Sequence, residues 1–94
     1  MKIKISGVIY DIVYKTNEEM NGLIGTADFN RQLISINETH TKQTQKIALV
    51  HEILHLIDET YGTGLTEQQI KILTHGIIAF SEENEILDIR STTT

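Results

Sequence analysis

Ninety-four residues, 39% apolar and 22% charged, suffice for one folded domain and exclude a disordered chain. The absence of cysteine excludes a disulfide framework and any thiolate metal site, so a bound metal must be held through nitrogen or oxygen. A net charge of −5 with no basic cluster argues against nucleic acid as a partner, and no apolar run approaches the ~20 residues of a membrane span.

The chain opens in strand period. Ile3 and Ile5 fall on one face of residues 2–6, Lys2 and Lys4 on the other. This opening lacks the apolar stretch of a signal peptide, which makes the cytoplasm the simplest compartment. Ser6-Gly7 is a turn signal, and the β-branched and aromatic residues of 8–15 complete a predicted hairpin. Residues 16–22 are polar and loop-like. Two short strands follow at 23–29 and 32–37, joined by a tight turn at Asn30-Arg31. In the second of these strands, Leu33 faces opposite Ile34 and Ile36.

From about Thr41 the period changes. Ile47, Val50, Leu54, Ile57 and Tyr61 mark one helical stripe, and Leu49, Ile53 and Leu56 add apolar residues behind it. A helix apolar almost all round is expected at the centre, between layers. Gly62 fits its C-terminal cap. A second helix starts at Thr66, with Gln69 as its capping-box partner and Ile70, Leu73, Ile77 and Phe80 as its stripe. The acidic run 82–88 is expected to fray, although Ile86, Leu87 and Ile89 can still dock. Residues 91–94 read as a disordered tail beyond a single domain of 1–90. Strands followed by helices give an α+β fold.

The central helix carries His51-Glu52-Ile53-Leu54-His55, an H-E-x-x-H pattern. Residues i and i+4 share one helix face, so both imidazoles can reach one metal ion. Glu52 sits about 100° round the helix, off the ligand face but within reach of a hydrolytic water. This is the layout of a zinc hydrolase: two His ligands, one ligand from elsewhere, and a carboxylate as general base. A chance match in a chain of this composition has odds on the order of 1%. Its place in the middle of the most apolar helix strengthens the metal reading, because polar groups buried there need partners. The competing reading is a helix whose His and Glu face solvent.

A catalytic zinc needs a third protein ligand, and the candidates are Asp58, Glu67 and His75. Asp58 lies about 10 Å along the axis from His51, too far to share its site without a bend. Supporting or structural work suits it better. Glu67 opens the second helix, and a connector with two glycines can fold that helix back beside the first. Glu67 would then complete a His₂Glu set, the alternative being an acidic residue placed favourably at a helix N-terminus. His75, eight residues on, lies opposite the apolar stripe and reads as a surface histidine.

The stretch Val50-His-Glu-Ile-Leu-His-Leu-Ile-Asp58, with Glu67 and then Leu73-Thr-His-Gly-Ile77, resembles the small phage-type H-E-x-x-H proteins grouped with the ImmA/IrrE-like zinc metallopeptidases. The opening Ile3-Lys-Ile-Ser-Gly-Val-Ile-Tyr10 is similar to their first hairpin. The resemblance implies a minimal zincin fold: a small antiparallel sheet of three or four strands, then the motif helix, then a glutamate-bearing helix. It implies zinc at His51, His55 and Glu67, with Glu52 as general base. It also implies a protein or peptide substrate, since larger relatives cleave regulatory proteins such as phage repressors.

The expected activity is therefore metal-assisted hydrolysis of a peptide bond, with the substrate added as a strand at an exposed edge, for which residues 32–37 are the candidate. Tyr10, Tyr14, Arg31, Tyr61 and His75 are the possible oxyanion donors. The alternative is a non-catalytic zinc-binding interaction module, such as an anti-repressor. A plain α+β domain without metal is the third reading.

Overall fold

The computed structural model describes residues 1–84. The expected docking of Ile86, Leu87 and Ile89, the domain end at residue 90 and the tail at 91–94 lie outside the described residues. Strands β1 (Lys2–Ile5) and β2 (Val8–Lys15) pair antiparallel with Ile5 opposite Val8, leaving Ser6-Gly7 as the turn. Both turn residues have positive φ, 50° and 85°, as a type I′ hairpin turn requires. The alternation of β2 buries Tyr10 and Ile12 on the core side and leaves Asp11 outside.

Strands β3 (Gly25–Asp28) and β4 (Leu33–Asn37) complete a four-stranded sheet in the order β1-β2-β4-β3. β4 runs antiparallel to β3 but parallel to β2, so the sheet is mixed rather than antiparallel. The cause is the long segment 16–24. It carries the chain past the place beside β2 to the far edge, and β4 returns to fill the gap. This also corrects the expected docking edge: of residues 32–37, those of β4 form an interior strand, and the edges are β1 and β3. The β3–β4 connection spans residues 29–32 rather than Asn30-Arg31 alone, with Gln32 at φ 55° and the Arg31 N–H donating to Asp28 Oδ1 at 3.0 Å.

Asn37, fully buried at the end of β4, ties the segment 16–24 to the sheet. Its side-chain amide donates to Asn17 Oδ1 at 2.8 Å and to the Leu23 carbonyl at 3.0 Å, and its own N–H donates to the Ile24 carbonyl. A buried amide satisfied on this scale fixes a loop far better than an exposed one. Leu23 and Ile24 are thereby held in place beside the first helix.

Helix α1 (Lys42–Tyr61) is capped by Thr41, whose Oγ1 accepts the Thr44 N–H, and ends at Gly62 in the left-handed conformation with its N–H on the Asp58 carbonyl. It packs on β3 and β4 with one side and on α2 (Glu67–Asn84) with the other, which makes it the middle layer. The sheet side is formed by Ala48, Leu49, Ile53 and Leu56 against Ile5, Tyr10, Ile12, Ile34 and Ile36. Of the stripe read from the sequence, Leu54 is buried and Ile57 packs on the core, but Tyr61 is exposed and bonds Ser6 through its hydroxyl.

The capping box of α2 forms as expected: the Gln69 N–H donates to Thr66 Oγ1, and the Thr66 N–H to Gln69 Oε1. Its buried face differs. Ile70, Thr74, Ile78 and Ser81 are buried, whereas Leu73 and Phe80 of the expected stripe are exposed. The reason is that Thr74 and Ser81 satisfy their hydroxyls within the helix, on the Ile70 and Ile78 carbonyls, and so enter the interface at little cost. Of the run 82–88 expected to fray, Glu82, Glu83 and Asn84 continue the helix, with Glu82 paired to Lys46 of α1 at 3.6 Å, and 85–88 lie outside the described residues. No helix among the described residues is long and apolar enough to cross a membrane.

Candidate metal centre

Two helices build the site. One turn of α1 stacks His51 and His55, whose Nε2 atoms lie 3.2 Å apart. The Gly62–Thr66 connector reverses the chain, and the α2 face that buries Ile70, Thr74 and Ile78 also aims Glu67 at the two imidazoles. Glu67 Oε1 is 2.7 Å from His51 Nε2, and Oε2 is 3.0 Å from His55 Nε2. Among the described residues, His51, His55 and Glu67 form the one group of three or more such side chains that could hold a metal ion. The Thr66 cap fixes the start of α2, and with it the backbone of Glu67.

Glu52 stands beside this group on the sheet side of α1. Burial pushes its carboxyl above the usual range, against the pull of the neighbouring His51 and His55. Gly25, the first residue of β3, is what lets the strand come this close. A Cβ there would lie 3.3 Å from both the Glu52 side chain and Ala48 Cβ. Gly25 was not singled out in the sequence; its signal is a lone glycine inside a predicted strand, which often marks a close approach.

Asp58 is not part of the centre. Its carboxylate accepts the Leu65 N–H at 3.0 Å and the Thr63 hydroxyl, so it organises the connector, and these bonds hold its pKa below the usual carboxylate range. His75 is exposed, yet it lines the same cavity as His51, Glu52 and Glu67. The other oxyanion candidates line neither cavity beside Glu52. Tyr10 is in the core, Tyr61 is held by Ser6, and Arg31 pairs with Asp28 at 3.7 Å. Tyr14 projects from β2, half exposed.

The chain matches no protein-family model, no curated protein and no solved structure.

Proposed function

We propose that this protein is a zinc-dependent peptidase of the H-E-x-x-H type, of the kind the ImmA/IrrE-like resemblance implies. The carrying observation is the convergence of three donor groups from two helices, with contacts of 2.7–3.2 Å between them. Donors about 2.0–2.1 Å from a tetrahedral zinc stand roughly 3.3 Å from one another; the two imidazole nitrogens, 3.2 Å apart, meet that spacing, and one ligand atom from each of the three residues lies within 4.8 Å of the other two. The donor chemistry fits as well: two neutral imidazoles and one carboxylate are a familiar catalytic set. His51, His55 and Glu67 would hold the ion, which when bound supplies Lewis acidity toward water and a peptide carbonyl.

Glu52 performs the proton transfers. Its carboxylate takes a proton from the attacking water and returns it to the leaving amine. Its partial burial between α1 and β3 keeps it from becoming a ligand and holds it at one edge of the donor group. Of the oxyanion candidates Tyr10, Tyr14, Arg31, Tyr61 and His75, His75 alone lines the cavity that His51, Glu52 and Glu67 share, and it is the one assigned to donate a hydrogen bond to the carbonyl oxygen as charge develops there. The free edge of β3 offers unpaired backbone groups to an extended peptide, in place of the interior β4.

The test is a proteome-derived peptide library incubated with zinc-loaded wild type, Glu52→Gln and His51→Ala. Wild type should cleave a reproducible subset of peptides. Glu52→Gln should keep its zinc but cut the same peptides roughly 100-fold more slowly or worse. His51→Ala should lose metal and cleavage together. Cleavage by Glu52→Gln at the wild-type rate would refute the mechanism.

One observation favours a second reading, a zinc-binding interaction module. Ile72, Leu73 and Phe80 expose an apolar outer face on α2, with Ile72 at 63%. In that case wild type cleaves nothing in the library, and mutation of this face, rather than of Glu52, abolishes function.

A further inference from the structure

Two cavities flank Glu52, and they differ in character. The first, about 670 Å³, is walled by Leu23, Ile24 and Ile47 and bordered by Lys71 and His75 of α2. The second, about 350 Å³, is walled by Ala27 and Phe29 and bordered by Asp58 and Glu59. Glu52 lines both. The residues on their sheet side follow β3 in order, 22–25 for the first and 27 and 29 for the second. A chain lying along β3 therefore passes from one cavity to the other across Glu52.

Leu23 and Ile24 are large apolar side chains left about half exposed at the wall of the first cavity, although Asn37 holds their backbone rigidly. A preformed apolar wall costs nothing to organise on binding. Lys71 stands one turn beyond Glu67 on the same side of α2, and no ion pair occupies it among the described residues. Glu52 and Glu67 line this cavity too, so Lys71 does not make it positive. It is, however, the one Lys or Arg in the lining of either cavity, and the second has the carboxylates of Glu52, Asp58 and Glu59 with no such cation, so of the two the first is the less hostile to a carboxylate.

We propose that the Lys71 cavity is the specificity subsite of the groove, and that it takes an apolar side chain with a carboxylate next to it. That carboxylate is either an acidic side chain or the C-terminus of the substrate. The opposite cavity, bordered by Asp58 and Glu59, disfavours acidic residues and so sets the direction in which a charged peptide lies. This inference rests on the peptidase reading for its meaning, but its physical content is binding.

The experiment measures binding by fluorescence anisotropy at about 20 mM ionic strength, where surface charges are least screened. The probes are labelled hexapeptides with Leu-Glu, Leu-Gln, Leu-Lys or Ser-Glu at the centre and amidated ends, and one Leu-Ala peptide with a free C-terminal carboxylate adjoining the leucine-bearing segment. The proteins are Glu52→Gln, which prevents turnover, and Glu52→Gln combined with Lys71→Glu, each metal-free and zinc-loaded. With Lys71 present, Leu-Glu should bind about five-fold tighter than Leu-Lys, the scale of an exposed charge pair. Ser-Glu should bind more weakly than Leu-Glu, and salt should erase the charge preference. Lys71→Glu should reverse the order of Leu-Glu and Leu-Lys. A gain for the free-carboxylate peptide over the amidated ones identifies the C-terminus as the source; its absence identifies the side chain. An order of affinities unchanged by Lys71→Glu, or no binding by any peptide, overturns the proposal. Failure of zinc to bind overturns the peptidase reading instead, and the charge reversal is still read on the metal-free pair.

Discussion

Glu67 and Gly25 are the residues on which the centre turns. Removing the carboxylate in Glu67→Ala leaves two imidazoles, a poor site, so zinc affinity should fall by roughly 100-fold or more, beyond the usual effect of a merely supporting residue. Asp58→Ala is the control: its carboxylate faces the connector, and affinity should stay at the wild-type value. Loss in Asp58→Ala and none in Glu67→Ala, measured by competition with a chromogenic chelator, would reverse the assignment. Gly25→Ala makes a sharper demand. The added methyl meets Glu52 and Ala48 at 3.3 Å, while the backbone of Gly25 suits any residue. The conformational entropy lost from the unfolded chain, worth about 0.4–1 kcal/mol of stability, offsets the squeeze, so stability should change little. Glu52 must shift, and cleavage should fall several-fold with zinc affinity unchanged. The H-E-x-x-H face was legible because helical geometry alone places His51 beside His55. The closeness of Gly25 to Glu52 was not, since it depends on how a strand and a helix approach each other.

At the level of elements, the two helices were legible from their punctuation. The change of period at about Thr41 and the cap glycine Gly62 marked the ends of α1, and the Thr66/Gln69 pair the start of α2; that the Thr41 hydroxyl itself caps α1 is seen only in the structure. The face of α2 was not legible from apolar spacing, because burial went to Thr74 and Ser81, whose hydroxyls are satisfied by their own helix. Hydrophobic period ranks Leu73 and Phe80 above them and has no means of counting those bonds. The connector between the helices gives a pH prediction. Bonds from Thr63 and the Leu65 N–H lower the Asp58 pKa in the folded state below its ordinary 3.8. A carboxyl depressed by folding adds stability that is fully present above the unfolded value and is lost as pH falls through the folded one. Metal-free wild type should therefore melt above Asp58→Ala at pH 6, with the gap narrowing as pH drops below about 3.8. A gap that is constant with pH would remove Asp58 from its assigned role.

For the whole molecule, the class was legible and the sheet order was not. Strands followed by helices gave α+β, and an almost uniformly apolar α1 gave the central layer. Neighbouring strands in sequence usually pair, and that tendency points β3 toward β2. The segment 16–24, anchored by Met20 and by the Asn37 amide, carries β3 to the far edge instead, where it borders the centre. The sheet, α1 and α2 stack so that the donor group closes only when α2 docks, which would couple binding of a metal there to the fold. The measurement that tests this most directly is a zinc titration of metal-free protein followed by calorimetry. One ion should bind per chain. At zinc about 100-fold above its dissociation constant, the gain of about 2.7 kcal/mol should raise Tm by roughly 10–20 °C in a domain of this size. A Tm unchanged by zinc, with no ion retained by the folded chain, would contradict the assignment of His51, His55 and Glu67 as a metal centre.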